Sequence, residues 1–179
     1  TLKGVEQARS LGKFFLENDL LPTRVFTSPA LRTLQTADNT LSAMNLDIQP
    51  IVADEIQEMD QGNCVGRLRS EVYTPEVLSE IDKQGKDFKL PGGESMNDVG
   101  KRMLQWVELN VPVSTESEVE RTFVFGHGMA IRALAATMHD WSREKTFESV
   151  TENTSFTVFV NQNSRWSLKA LGLTPHIAE

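Results

Sequence analysis

Thr122-Phe123-Val124-Phe125 runs straight into Gly126-His127-Gly128, and a stretch from Met129 to Met138 that is apolar on nearly every side follows at once. A short continuous apolar run is the pattern of a strand buried on both faces, as expected at the centre of a parallel sheet. The stretch after the glycines is long enough for a helix and too apolar for a solvent-facing one. Strand, tight glycine loop and buried helix in succession restrict the chain to an α/β architecture. They also put His127 where a strand ends and a helix begins. Ligands of open α/β sheets bind beyond the carboxyl ends of strands, and a helix N-terminus offers N–H groups to an anion.

The rest of the chain repeats the alternation. Leu2, Val5, Ala8, Leu11, Phe14 and Phe15 recur at helical spacing behind Thr1, which can cap the helix. Arg24 to Thr27 reads as a short buried strand, and Ser28-Pro29 as the N-cap and first position of a helix with Leu34, Ala37, Leu41 and Met44 on one face. Asp47 to Ala53 reads as another strand. Residues 55–93 lose this regularity, with Gly62, Gly66 and Gly85 interrupting and one helix expected around Pro75 to Lys83. This stretch is expected to be an excursion, or lid, over the top of the sheet rather than a second domain. Pro91-Gly92-Gly93 is a turn, and Ser95 to Asp98 has the form of a capping box opening a helix through Trp106. Ser114 to Glu120 is a polar break. Phe156 to Val160 and Trp166 to Leu168 form a hairpin about Asn161 to Ser164. One three-layer α/β/α domain over residues 1–179, with a mostly parallel central sheet, is the expected fold.

Composition removes several functional classes. The formal net charge of −7 argues against nucleic-acid binding, which calls for a basic face, and obliges any anionic ligand to find a local cationic pocket. No apolar run approaches the length of a membrane span. A single cysteine, Cys64, excludes an internal disulfide and fits a cytoplasmic, reducing compartment. Nor does Cys64 lead a cysteine-phosphatase loop, because Ser70 stands where that chemistry needs arginine.

Three residues carry the candidate chemistry. His127 comes first, by position and by its flanking glycines, which let a ligand approach the backbone; the plainer reading is a histidine that caps a loop. Arg32, in the first turn after the strand ending at Thr27, has the planar fork that suits phosphate oxygens, although a helix arginine more often faces solvent. Glu58 sits in an acidic loop with Asp54, Glu55 and Asp60. Crowded carboxylates raise one another's pKa, as a proton donor near neutrality requires, yet most such clusters are solvated surface. His139 and His176 show no metal-ligand spacing with His127, and no glycine-rich nucleotide loop is present.

Taken together, these segments resemble the histidine phosphatase superfamily, which includes cofactor-dependent phosphoglycerate mutases and many small phosphatases. Leu2-Lys3-Gly4 with Gln7-Ala8 is similar to the helix after the catalytic strand, and Phe26 to Arg32 with Gln35-Thr36-Ala37 to the second phosphate-binding segment. Glu58 to Gly62 with Gly66 matches the acid loop, Pro91 to Ser95 the turn before the third helix, and Phe125 to Gly128 with Ile131-Arg132 the second histidine. The resemblance implies phosphoryl transfer through a phosphohistidine. It implies Arg32 as a clamp, His127 as the pocket's second histidine, the Gly128 N–H as a further donor and Glu58 as the acid and base. A phosphorylated small molecule is the implied substrate. Neither cofactor nor metal is implied.

The family's nucleophile lies in an Arg-His-Gly segment that this chain, opening at Thr1, does not include. The natural protein is expected to carry that segment on a strand beside the one ending at His127, and the 179-residue chain alone is expected to be inactive and open to self-association along bare strand edges. Cys64 and Val65 also stand where many members have tryptophan and glutamate. The short stretch between Gly66 and Pro91 points to a phosphatase rather than a mutase; a catalytically dead phosphate-binding or interaction module is the rival from another class.

Overall fold

The computed structural model describes residues 1–112, 120–162 and 165–177. Its centre is a parallel sheet of three short strands in the order β2 (Ile51–Val52), β1 (Arg24–Thr27), β3 (Thr122–Phe125). β1 is the inner strand, paired along its whole length with β3, from Arg24 opposite Thr122 to Thr27 opposite Phe125. Val25, Phe26 and Thr27 are accordingly buried. β3 differs from the sequence expectation. It lies at the sheet edge, its residues are only half-buried, and Val124 is 37% exposed. Its apolar content is set by helices packed on both faces, whereas a central position would also need a strand on its far side, and no described residue provides one.

Helices cover the two faces separately. α1 (Leu2–Glu17) and α2 (Leu31–Ala43) close one side through Leu11, Phe15 and Met44, with Phe123 of β3 against them. α5 (Met96–Asn110) and α6 (Gly128–His139) close the other through Val99, Met103, Trp106, Ala130, Ala133 and Leu134. Phe26 points to this second side and meets Trp106 edge-on, with ring centroids 5.0 Å apart. Residues 25 and 26 of one strand serve opposite faces, as period-two alternation demands, and the result is three layers.

The C-terminal hairpin, β4 (Phe156–Gln162) and β5 (Arg165–Leu173), is longer than the sequence suggests and forms its own antiparallel sheet. It joins the body through side chains. Phe15 lies between Phe123 of β3 and Phe156 of β4, at 4.8 and 5.2 Å between ring centroids. Phe159 and Trp166 pack on the opposite core.

Two terminal assignments move. The strand expected over Asp47 to Ala53 shrinks to two exposed residues, Ile51 and Val52, opposite Phe26 and Thr27 of β1, with one further bond from the Ala53 N–H to the Thr27 carbonyl. α2 starts at Leu31 with Ala30 as its cap, not at Ser28-Pro29, and Ser28 is fully buried with other work to do. The expected capping box is present: Ser95 Oγ accepts from the Asp98 N–H at 3.1 Å, and Asp98 Oδ2 accepts from the Ser95 N–H at 3.0 Å. Residues 55–93 hold α3 (Arg69–Val72), α4 (Pro75–Gln84) and short 3-10 turns, joined by irregular backbone. The polar break from Ser114 to Glu120 lies outside the described residues except for Glu120, as do residues 163 and 164 of the hairpin turn. α7 (Arg143–Glu148) completes the set.

Candidate active site

Because β1 and β3 are parallel and in register, both chains emerge at one sheet edge. Ser28 follows β1 directly, and its N–H donates to the carbonyl of Phe125, the last residue of β3. Two residues on, His127 is the N-cap of α6 and 6% exposed. Its imidazole is held at both nitrogens. Arg32, the second residue of α2, reaches Nδ1 from Nη2 at 2.8 Å, and Ser28 Oγ lies 2.9 Å from Nε2. His127 and Arg32, separated by most of the chain, are therefore in direct contact.

The partners settle the tautomer. A guanidinium only donates, so Nδ1 must accept and carries no proton. The neutral ring then holds its proton on Nε2 and donates it to Ser28 Oγ. Burial pushes the His127 pKa below that of an ordinary histidine, and the Arg32 charge pushes it further down. Glu58 acts in the opposite sense, while Arg102 adds a smaller downward push. A neutral, Nε2-protonated His127 is the resting form.

Glu58 arrives from the third segment at the same edge, the chain that continues β2. Its carboxylate accepts from the N–H of Met59 at 2.9 Å and, across the site, from the N–H groups of Ala130 at 3.0 Å and Met129 at 3.3 Å. Those are orphan donors of the first turn of α6, where a negative charge also meets the positive end of the helix dipole. The crowding inferred from Asp54, Glu55 and Asp60 gives way to this specific seat. Gly128, the first residue of α6, lies close to Thr151: a Cβ there would come within 2.8 Å of Thr151 Oγ1 and displace that side chain.

Ser28 was missed as a site residue, since Ser-Pro reads as a helix cap. Arg102 and Glu94 were missed as well, although Glu94 lies in the turn quoted above and Arg102 follows it by two helical turns. His139 and His176 stay away from the site; His139 Nε2 accepts from the Leu168 N–H, and His176 sits under Phe14. Among the described residues, no group of three His, Cys, Asp or Glu side chains is arranged to hold a metal ion, and no helix is long and apolar enough to cross a membrane.

Residues 1–174 match the sequence model of the histidine phosphatase superfamily (branch 1). The chain is 29% identical over 147 residues to the 2,3-bisphosphoglycerate-dependent phosphoglycerate mutase of Azorhizobium caulinodans, covering 80% of this chain and 71% of that protein. It is 26% identical over 179 residues to phosphoserine phosphatase 1 of Hydrogenobacter thermophilus, covering 99% and 82%. The matched stretch is 55% of the sedoheptulose 1,7-bisphosphatase of Saccharomyces cerevisiae and 29% of the 6-phosphofructo-2-kinase/fructose-2,6-bisphosphatase of Aquarana catesbeiana. A mycobacterial glucosyl-3-phosphoglycerate phosphatase, solved with inorganic phosphate, has the same fold at a TM-score of 0.79 and 18% identity, over 99% of this chain and 89% of that one.

Proposed function

Since this chain belongs to the histidine phosphatase superfamily, a family of phosphatases and mutases, we propose that it is the greater part of a phosphomonoester phosphatase. The observation that carries the reading is the Arg32–His127 contact at the shared edge of β1 and β3. It fixes the Arg32 guanidinium, which has further N–H donors, against a buried imidazole next to a helix N-terminus. A transferring phosphoryl group spreads negative charge over its oxygens, and preorganised donors of this kind stabilise it.

The nucleophile in this reading is the histidine of an Arg-His-Gly segment ahead of residue 1, on a strand along the far edge of β3. Among the described residues no strand pairs with the far edge of β3, and the hairpin forms a separate sheet, which supports that placement. The imidazole nitrogen attacks phosphorus, the P–O ester bond breaks, and the departing alcohol takes a proton from Glu58. Water then attacks the phosphohistidine, gives its proton to Glu58, and leaves as inorganic phosphate when the P–N bond breaks. Residues 55–93 form the lid that selects the alcohol portion. Without the nucleophile, residues 1–179 bind phosphate but do not turn over.

Mutase chemistry is the second reading, favoured by the similarity to phosphoglycerate mutases; the compact stretch between Gly66 and Pro91 favours hydrolysis. In the complete protein, His127→Ala and Arg32→Ala should each lower hydrolysis of p-nitrophenyl phosphate by at least about 100-fold. Unchanged turnover in both variants would overturn the site.

A further inference from the structure

The backbone that presents Glu58 has almost no regular structure of its own. Between the 3-10 turns Asp54–Ile56 and Gly62–Cys64, residues 57–61 belong to no helix or strand. They are held from outside, by groups that the proposed chemistry leaves unused. Arg102, in the second turn of α5, donates from Nη1 to the carbonyls of Glu55 at 2.5 Å and Gln57 at 3.3 Å. Its Nε and Nη2 donate to the two carboxylate oxygens of Glu94, each at 2.8 Å. Glu94 in turn grips Asp60: its Oε2 accepts from the Asp60 N–H at 3.1 Å, and its own N–H donates to the Asp60 carbonyl at 2.9 Å. Gln57 and Asp60 flank Glu58-Met59, so a single ion pair holds both sides of the acid residue.

The turn that carries Glu94 is fitted to the same loop backbone against backbone. Asn63 N–H donates to the Pro91 carbonyl at 3.0 Å. A Cβ on Gly93 would stand 2.6 Å from the Asp60 carbonyl oxygen. One on Gly62, whose φ is +53°, would stand 2.4 Å from the Gly92 carbonyl carbon. No side chain fits between the two strands of backbone, which accounts for glycine at both places. The Arg102–Glu94 pair is bidentate and largely shielded, with side chains 22% and 26% exposed, the geometry in which an ion pair fixes position rather than decorating a surface.

We propose that Arg102 and Glu94 are positioning residues for Glu58, holding its carboxylate at the N-terminus of α6 beside His127 and so setting the proton-transfer step. The inference rests on the reading of Glu58 as the acid. Proton donation matters most when the leaving alkoxide is poor and least when it is a stable nitrophenolate. A pair that only maintained the fold would slow both kinds of ester alike.

The test compares an alkyl phosphate with p-nitrophenyl phosphate in the complete protein. Glu58→Gln should slow the alkyl ester about 100-fold more than the aryl ester. Arg102→Ala should show the same selectivity, at least about 10-fold, and add nothing selective in the double variant with Glu58→Gln. Where Arg102→Ala fails to fold, Glu94→Gln carries the same comparison, with side-chain shape kept and charge removed. Amide hydrogen exchange read on residues 1–179 should quicken at Met129 and Ala130 in Arg102→Ala, as in Glu58→Gln, with the rest of α6 unchanged. Selective loss in Glu58→Gln but equal slowing of both esters in Arg102→Ala would overturn the positioning role and leave the acid in place. Non-selective loss in Glu58→Gln would remove the acid role, and the positioning role with it. Unchanged exchange at Met129 and Ala130 in Arg102→Ala would also overturn it.

Discussion

His127 sits between a guanidinium that can only donate and a hydroxyl that can accept. Protonating the ring at Nδ1 would set an N–H against an N–H of Arg32, so the contact holds only while the imidazole is neutral. Burial and the Arg32 charge both lower its pKa in the folded state. His176, beside Phe14, is lowered by burial as well, with Nε2 3.0 Å from Thr154 Oγ1 and Nδ1 buried without a partner among the described residues. For a base whose folded pKa lies below its unfolded one, the unfolded chain binds more protons in the interval between the two. Stability is then fully present above the ordinary histidine range and is lost as pH falls through it. Urea unfolding at pH 7.5 and at pH 5.5 should show a loss on acidification that His127→Gln and His176→Gln each reduce. The same loss in both variants would mean that neither ring is held neutral by the fold. This residue-scale detail lay beyond the sequence. Position and glycines pointed to His127, but the tautomer depends on Arg32, brought to Nδ1 from a segment distant in sequence, and the proton on Nε2 goes to Ser28, whose pairing with Pro29 reads locally as a helix cap.

Among elements, legibility follows how local each determinant is. α1, β1, α4, α5 and α6 stand where their local patterns put them, because spacing, Thr1 and the Ser95–Asp98 box act within a turn or two of the chain. The strand over Asp47 to Ala53 shrank and β3 moved to an edge, because pairing is decided by neighbours distant in sequence. Glu58 shows the same divide: its acidic surroundings were readable, while its seat on the first turn of α6 depends on two segments meeting. An edge strand with free backbone groups is a template for further pairing. Residues 1–179 should therefore self-associate through β3 and the hairpin at micromolar concentration, as measured by light scattering, and the strand proposed along the far edge of β3 should suppress it. A stable monomer would show that these edges are already protected.

For the whole molecule, the order of elements was the most legible property and the two-faced packing its direct consequence, with Phe15 serving one core and Phe26 the other. The same order brings the ends of β1, β2 and β3 to one edge, where Ser28, Glu58 and His127 meet with Arg32 from α2. A protein of net charge −7 repels anions at a distance, so the proposed phosphate ester needs the local positive charge that Arg32 supplies at this edge. On the proposed reading the three connecting loops and the helix N-terminus receive the phosphoryl group, and that chemistry needs a covalent histidine intermediate. Mixing of the complete protein with a labelled phosphate ester, stopped with detergent at alkaline pH and followed by peptide mapping under alkaline conditions, tests that directly. Label should appear as an acid-labile, base-stable phosphohistidine in the segment ahead of residue 1, and His127 should carry none. Label on His127, or turnover with no labelled protein at all, would contradict it.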